Sequence, residues 1–438
     1  MKKLCLVSLL ALSACSAQQP STSQPTWENQ ATQPAKKTVS SLPTSSSAST
    51  TSSSAAEQQA FERCLSSLQP AALKAGVNAA TYQSLTHHLQ ADTSLLEKLN
   101  YQPEFKTPIW DYLSSLVDEE RIELGQAKMR EYHDTLQRVA QVYGVDPATV
   151  VAVWGVESNF GQNQGKYSLV QALGTLSCMG RRQEFFRKEF FASLRIIQSG
   201  DIAADRLNGS WAGAFGHTQF MPTTFERLAV DFDNDGRRDL IDNAVDAIGS
   251  TANYLKRAGW QTGQPWGFEV KLPAQFSSAN ESRKNKKPIS YWIGKGVTTI
   301  DGKSLDSRVD LSQKAGLLLP AGTSGPAFLV FKNFDAIYSY NAAESYALAI
   351  AHLSDRLRGA GPFVTPWPTD DLGLSRQERR LLQTLLLKKG YDIGEADGLI
   401  GSKTREAIKA EQTRLGLTPN GRAGQKILKA MQNDNQAH

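Results

Sequence analysis

This 438-residue chain contains no long basic tract, and its formal net charge of +5 at pH 7 is mild. The one short basic run, RKNKK at 283–287, is typical of a solvated loop, so no nucleic-acid-binding surface is predicted. The six histidines show no metal-ligand spacing, so no histidine-based metal site is predicted either. No internal repeat is visible. The informative features are therefore the order of the segments and a small number of motifs.

The first 15 residues, MKKLCLVSLLALSAC, combine a lysine pair, a short apolar core and small residues before a cysteine. The apolar stretch is too short to span a membrane, and this arrangement predicts an export signal. Its end, LSAC, resembles the lipobox of bacterial lipoproteins. The resemblance implies that Cys15 becomes the lipidated first residue and that Ser16 permits sorting to the outer membrane. We therefore expect a lipid-anchored protein on the periplasmic face of the outer membrane of a Gram-negative bacterium.

Cysteine is scarce, with four residues in the whole chain. If Cys5 leaves with the signal and Cys15 carries lipid, Cys64 and Cys178 remain. Two thiols in an oxidising compartment predict one disulfide between them. The alternative is two separate buried thiols.

Composition divides the rest of the chain into four segments. Residues 16–56 are rich in Ser, Thr, Gln and Pro and almost lack aliphatics, which predicts a disordered tether. Residues 57–362 show mostly helical periodicity, with short β-prone pieces between about 266 and 335. A proline-punctuated linker at 363–371 precedes a compact module at 372–432. The predicted fold class is mainly α, with a small β-containing insert in the larger domain.

The segment VVAVWGVESNFG, residues 150–161, is almost wholly apolar apart from Glu157. Asp146–Pro147 predicts the start of a helix, and the spacing puts Glu157 on the stripe that faces the interior. A buried, unpaired carboxylate raises its pKa, which makes a poor structural residue and a good general acid. The alternative is a glutamate that tilts out to solvent or pairs with an arginine such as Arg181 or Arg182.

A second motif, SWAGAFGHTQFMPTTF at 210–225, is a loop of small residues that leads into a helix. Together with GVESNFG it resembles the membrane-bound lytic transglycosylase B family, and FDNDG, VDAIGSTANYLKRAGW and YNAAESYALAI extend the resemblance over roughly 60–362. The family cleaves peptidoglycan glycan strands on a lysozyme-like fold and needs no catalytic cofactor. The resemblance implies that Glu157 is the catalytic acid and base. It also implies that five cleft residues orient this carboxylate or the sugar: Ser210, Gln219, Tyr254, Tyr340 and Asn341. The alternative for each tyrosine is a core aromatic whose hydroxyl is hydrogen-bonded internally.

The segment DFDNDGRRDLID, 231–242, matches the EF-hand loop pattern with Asp in place of the last Glu. The predicted ligands are side chains of Asp231, Asp233, Asp235 and Asp242 and the carbonyl group of Arg237. Because Asp242 is shorter than the usual Glu, Asp246 could replace it. Carboxylates this close repel one another without a cation, which favours a structural calcium over a metal-free turn rich in Asp.

The C-terminal module resembles the small three-helix peptidoglycan-binding domain. Asp397, Gly398, Gly401 and Thr404 match the signature of that domain, whereas Asn420–Gly421 stands where an Asp-Gly pair is usual. The resemblance implies wall binding, and the alternative is a helical cap without a ligand.

No second acidic residue lies in 150–165 or 210–225. This fits the one-carboxylate reaction that the family resemblance implies, in which the 6-hydroxyl of N-acetylmuramic acid closes a 1,6-anhydro ring. The expected partner is the peptidoglycan glycan strand. The alternatives are a hydrolytic muramidase, with a distant Asp activating water, and a catalytically silent wall-binding scaffold.

Overall fold

Helices make up most of this computed structural model, which describes residues 50–99 and 107–436. The first nine helices are α1 Thr50–Lys74, α2 Ala79–Thr86, α3 Ser94–Lys98, α4 Ile109–Leu116, α5 Glu119–Glu131, α6 His133–Tyr143, α7 Pro147–Ser158, α8 Leu169–Met179 and α9 Gln183–Gln198. The others are α10 Pro222–Leu228, α11 Ala244–Arg257, α12 Ile289–Gly294, α13 Lys332–Asn341, α14 Glu344–Leu357, α15 Arg376–Lys388, α16 Ser402–Arg414 and α17 Gln425–Gln436. The mainly helical fold class is thereby confirmed.

The predicted β-containing insert lies between α11 and α13. Its strands are β3 Gly267–Lys271, β4 Lys287–Pro288, β5 Thr298–Thr299, β6 Lys314–Leu318, β7 Pro320–Thr323 and β8 Ala327–Val330. Five of them form an antiparallel sheet in the order β4-β6-β8-β3-β5. The sheet has its own small core around the buried Trp292, so the insert packs as a unit. A separate two-stranded pair joins β1 Tyr167–Ser168 to β2 Asn208–Gly209.

The centre of the larger domain is α7, which is buried on every side from Ala148 to Gly155. It packs against α14, which is also buried over most of its length. A second core cluster lies around α8 and α9. Burial on all sides explains why α7 is nearly continuous in apolar residues and has no polar face.

Two predictions about the N-terminus concern residues 1–49, which lie outside the described part of the chain. These are the signal at 1–15, with its lipidated Cys15, and most of the tether. Helix α1 begins at Thr50 and so includes residues 50–56, which composition had placed in the tether. Among the described residues no single helix meets the length and hydropathy of a membrane span; only the bent pair α6 and α7, with 114° between them, does so together.

The proline-rich segment before the C-terminal module packs along the larger domain. The ring of Phe363 stacks on His352 with 3.8 Å between the ring centroids. The backbone N–H groups of Val364 and Thr365 donate to the carboxylate of Glu269 at 2.8 and 2.7 Å. Because its backbone donors and its aromatic side chain are held in this way, the segment fixes the path of the chain into α15.

The C-terminal module is a three-helix unit, α15 to α17, with two turns built alike. Gln383 accepts a hydrogen bond from the N–H of Gly398 at 2.7 Å and donates to Asp397 Oδ1 at 3.1 Å. In the second turn, Gln412 makes the same pair of bonds to the N–H of Gly421 and to Asn420 Oδ1, both at 2.8 Å. Asn420 thus keeps the structural role of the aspartate it replaces, since its side-chain oxygen still accepts the bond.

Candidate active site

Glu157 lies in the last turn of α7. The helix begins after Asp146, whose carboxylate accepts a hydrogen bond from the Thr149 N–H at 2.9 Å. It ends at Ser158 because the next three residues, 159–161, have positive φ angles between 52° and 87°. The turn that follows carries the chain out of the core, so Glu157 is partly buried at the point where α7 meets the cleft.

The carboxyl group of Glu157 accepts a hydrogen bond from the hydroxyl of Tyr346 in α14. Burial raises the pKa of Glu157, the bond from Tyr346 offsets part of this rise, and the resulting pKa is about 7 instead of 4.5. Neither arginine considered from the sequence is its partner: Arg181 donates to a backbone carbonyl, and Arg182 lies over the ring of Phe185. A lone carboxyl group with a pKa near 7 can both give and take a proton at neutral pH.

The two predicted tyrosines, Tyr254 and Tyr340, lie near the carboxyl group of Glu157. The rings of Tyr254 and Tyr340 are 4.6 Å apart between centroids, and Tyr340 stacks on Tyr346 at 6.3 Å. Burial raises the pKa of Tyr254 and Tyr340, and the nearby charge of Glu157 raises both further. Their hydroxyls donate to backbone carbonyl oxygens at 2.7 Å, so these residues line the cleft and support its backbone at once.

Ser210 and Gln219 hold the loop of small residues in shape. The Ser210 hydroxyl oxygen accepts a hydrogen bond from the Ala214 N–H at 3.0 Å. The Gln219 amide donates to the carbonyl oxygens of Gln164 and Gly216 at 3.0 and 2.9 Å. This ties the loop to the segment after α7. No hydrogen bond joins either side chain to Glu157 within the described residues, so their predicted contact with the carboxylate remains a prediction.

His217 packs directly against the turn after Glu157. Its Nδ1 accepts a hydrogen bond from the Trp154 indole N–H at 3.0 Å, and burial lowers the pKa of the ring to about 4. A Cβ on Gly161 would lie 2.3 Å from the same Nδ1, and Gly161 also has a φ of 87°. Glycine is required there because of both the close approach and the backbone angle.

Asn341 is exposed at the end of α13, and no hydrogen bond joins it to Glu157 within the described residues, so its predicted role at the cleft remains a prediction. It contributes to the wall of a cavity of about 760 Å³, together with Tyr112. Tyr346, by contrast, is the direct partner of Glu157 and was not predicted. The sequence does show a tyrosine in the apolar helix α14. It does not show that α14 packs against α7, and so it could not identify Glu157 as the partner of this tyrosine.

Three carboxylates of the acidic loop come together. Ligand atoms of Asp231, Asp233 and Asp246 lie within 4.8 Å of one another. Asp246 is buried, and its oxygens accept hydrogen bonds from the N–H groups of Phe232 and Asp239 at 2.7 and 2.8 Å. Burial and, to a smaller extent, the charge of Asp233 raise the pKa of Asp246 to about 6, although the two backbone hydrogen bonds lower it. The buried carboxyl group of Asp246 is thus held beside those of Asp231 and Asp233.

The prediction for the end of this loop was wrong at Asp242. Its carboxylate pairs with Arg206 and takes no part in the cluster, where Asp246 stands in its place. An Asp at this position is one methylene short of the usual Glu, and the nearby arginine gives it a better partner. Asp235 is also outside the cluster, and one of its oxygens accepts the Arg237 N–H at 2.9 Å.

The predicted disulfide is present. Cys64 in α1 and Cys178 in α8 are bonded, with their Cα atoms 5.9 Å apart. The bridge ties the first helix to the second core cluster, and it closes a loop with a sequence separation of 114.

Residues 60–355 match the family described as the Transglycosylase SLT domain. The chain belongs to this family. The SLT match extends from α1 to α14 and so includes Glu157, the tyrosines and the acidic loop. Residues 375–431 match a peptidoglycan binding domain family and cover the three-helix module. Both resemblances predicted from the motifs are therefore confirmed.

Named relatives of this SLT protein come from two bacteria. Membrane-bound lytic murein transglycosylase B of Escherichia coli K12 is 35% identical over 244 residues, which cover 55% of this chain and 65% of that protein. The alignment thus spans just under two thirds of the relative. SltB3 of Pseudomonas aeruginosa, solved in complex with NAG-anhNAM-pentapeptide, is 43% identical, with a TM-score of 0.69, and the match covers 85% of this chain and 99% of that one. Slt35 of Escherichia coli, solved in complex with calcium, is 30% identical, with a TM-score of 0.58. The match covers 69% of this chain and 93% of Slt35.

Proposed function

We propose that this SLT protein is a lytic murein transglycosylase. It cleaves the β-1,4 bond between N-acetylmuramic acid and N-acetylglucosamine in peptidoglycan and leaves 1,6-anhydromuramic acid ends. The single observation that carries the proposal is Glu157, a carboxyl group with a pKa of about 7 at the mouth of the cleft. Tyr346 bonds to it, and no cationic side chain pairs with it in the described part of the chain. The names of the relatives, and the sugar–peptide complex of SltB3, support the substrate class.

In the first step, protonated Glu157 donates its proton to the glycosidic oxygen while the bond to the anomeric carbon breaks. The electron pair of that bond leaves with the N-acetylglucosamine oxygen. In the second step, the Glu157 carboxylate removes the proton of the muramic 6-hydroxyl, whose oxygen bonds to the anomeric carbon. The carboxyl group is then protonated again, and no water is consumed. A pKa near 7 serves both steps, because either form is accessible at neutral pH.

Tyr346 has a positioning role in this scheme. Its hydroxyl donates to Oε1 of Glu157, which leaves the other carboxyl oxygen for the substrate. Burial and the charge of Glu157 both raise the pKa of Tyr346, so this hydroxyl keeps its own proton throughout the reaction. The stacked ring of Tyr340 restricts the Tyr346 side chain further.

Mass analysis of the products from purified sacculi tests the reaction. The expected muropeptides are lighter by one water than those of a hydrolase and have no reducing end. Reducing muropeptides as the main product would establish a hydrolytic muramidase instead. Retention of sacculi without cleavage would leave only the wall-binding scaffold.

The acidic loop suits a structural calcium. Calcium prefers oxygen ligands, and Asp231, Asp233 and Asp246 offer carboxylate oxygens at close range. Asp246 is buried and its neighbour Asp233 is acidic, so a cation would relieve the cost of keeping these groups together. The calcium complex of Slt35 supports this proposal. The ion would clamp the loop to α11, and no catalytic step would involve it.

The domain boundaries and the location complete the proposal. Residues 57–362 form the catalytic domain, 363–371 the linker and 372–432 a module that retains the enzyme on peptidoglycan. Processing at Cys15 and lipidation would anchor the mature chain to the outer membrane, facing the periplasm, and the name of the Escherichia coli relative supports a membrane-associated place. Replacing Cys15 with Ser should move the protein from the membrane fraction to the soluble periplasmic fraction; unchanged fractionation would contradict the anchor.

A further inference from the structure

The cavity of about 760 Å³ lies between the catalytic domain and the C-terminal module. Helices α4 and α5 form one wall, and the start of α15 with the turns before α16 and α17 forms the other. Both walls belong to one compact unit of the chain. Its volume is within the range of small-ligand sites in proteins.

Five arginines line this cavity: Arg121, Arg376, Arg379, Arg405 and Arg422. Only the last has carboxylate partners within the described residues, because Arg422 pairs with Asp111 and Asp371. The remaining four line the cavity and form no ion pair with any residue that the structure describes. Asp118 is close enough to raise the pKa of Arg121 and Arg379, but its oxygens accept hydrogen bonds from the backbone N–H groups of Arg121 and Arg376.

The deepest of these side chains has an unused donor. Arg121 is 4% exposed, and its Nε–H has no hydrogen-bond partner among the described residues. The Nε–H of Arg376 is buried and unpartnered in the same way. Burial and, to a smaller extent, the charge of Arg376 lower the pKa of Arg121 to about 10. Buried donors without acceptors and neighbouring like charges are both costly, and an anion in the cavity would relieve both.

The arginine-lined cavity also has an apolar rim. Leu399 is 63% exposed on the turn before α16, and Ile400 and Leu116 line the cavity beside it. A small inorganic anion would make no use of this rim. The combination suits an extended ligand that has several carboxylates and short aliphatic groups.

We propose that the cavity binds the acidic peptide stem of peptidoglycan, with stem carboxylates on Arg121, Arg376 and Arg379 and aliphatic groups against Leu399. This inference rests on the proposed function. Guanidinium groups bind carboxylates in a bidentate way, which gives both strength and orientation.

The position of the cavity relative to Glu157 fits this assignment. Asn341 and Tyr112 line the cavity, and Tyr112 is close enough to Tyr346 to influence its pKa. Tyr346 in turn bonds to Glu157. A glycan strand at the carboxyl group can therefore place one of its peptide stems over the cavity, and stem binding would select strands that still carry peptides.

Calorimetry with the mature full-length protein tests the inference. The probe is the sugar-free peptide stem released from sacculi by an amidase, and the comparison is the same peptide with its carboxylates converted to methylamides. Arg376→Gln and Arg379→Gln are expected to weaken binding of the acidic peptide about 10- to 100-fold. Arg405→Gln changes a residue of the same wall whose side chain is exposed, so this variant is expected to fold like the wild type. Arg63→Gln, an exposed arginine of α1, is the matched control and should bind like the wild type.

Binding that weakens with added salt and disappears with the methylamide peptide supports the inference. Equal affinities of the cavity variants and the Arg63→Gln control would overturn it. Absence of peptide binding, or inorganic phosphate binding as tightly as the peptide, would also overturn it. The proposed reaction is judged separately from the anhydro products of sacculi, so a failure of one does not count as a failure of the other.

Discussion

Replacement of Glu157 by Gln separates the chemical role of this residue from its structural cost. Gln retains the volume and an oxygen that can accept the hydrogen bond from Tyr346. It loses the transferable proton and the later base. General acid–base catalysis contributes typically about 10²–10⁴-fold, and one residue with both roles should show at least the upper end of that range. We expect turnover of purified sacculi to fall about 10⁴-fold.

The same change should stabilise the folded protein at alkaline pH. Between pH 4.5 and about 7 the folded protein holds a proton on Glu157 that the unfolded chain has lost, so stability falls as pH rises through this window. Above it the loss levels off at about 3 kcal/mol, the energy that corresponds to this rise in pKa. Gln cannot ionise and avoids this loss. We expect equal stability of the two proteins at pH 4 and a more stable variant at pH 8.

Urea unfolding at the two pH values measures this difference, and other titrating groups cancel because both proteins contain them. Glu189 provides the control for activity, since it is a second buried glutamate whose carboxylate accepts hydrogen bonds from Thr223 outside the cleft. Glu189→Gln should leave turnover per folded molecule close to that of the wild type. Near-wild-type turnover by Glu157→Gln would refute the catalytic assignment. A stability difference that does not change with pH would refute the burial argument.

Three further changes test the surrounding structure. Tyr346→Phe should raise the pKa of Glu157 further, because the bond that lowers it is lost, and should shift the pH–rate profile to higher pH. Tyr254→Phe should not, because within the described residues the Tyr254 hydroxyl bonds to the carbonyl oxygen and the side chain of Ser339 and not to Glu157. If the acidic loop holds calcium, chelation should lower the Tm of the wild type and of Asp242→Asn but not of Asp233→Asn; an unchanged wild-type Tm would argue against the ion. Cys64→Ser should lower the free energy of unfolding by about 5 kcal/mol, the loop-closure value for a bridge of this separation, whereas equal stability in urea would show that the bridge contributes little.

Local patterns predicted the elements near Glu157 well, because caps and periodicity act over a few residues. Asp146–Pro147 does start α7, and the β-prone pieces do form the sheet of the insert. The prediction that Glu157 lies on one inward-facing stripe of α7 was less accurate, because α7 is buried on all sides and has no distinct inner face. What isolates Glu157 is its place in the last turn, where the chain turns away from the core.

Contacts between distant segments could not be read in the same way. Tyr346 is 189 residues from Glu157, and Arg206 is 36 residues from Asp242. In each case the sequence shows a plausible residue but not the packing that selects its partner. The matched turns around Gln383 and Gln412 were missed for a related reason, because the repeat lies in hydrogen-bond geometry and only weakly in residue identity.

Helix α4 lies between the module and the helix that carries the partner of Glu157. On one side, Asp111 of α4 pairs with Arg422 of the module, which also pairs with Asp371 of the linker. On the other side, α4 packs against α14, the helix that carries Tyr346. An ion pair that is largely removed from solvent is lost at a high cost when one partner is deleted, so the docked position of the module is well determined. If the two proposals hold, a ligand that draws the module and α4 together acts through α4 on α14, the helix that carries Tyr346. The module would then be both a means of wall retention and part of the wall of a substrate site.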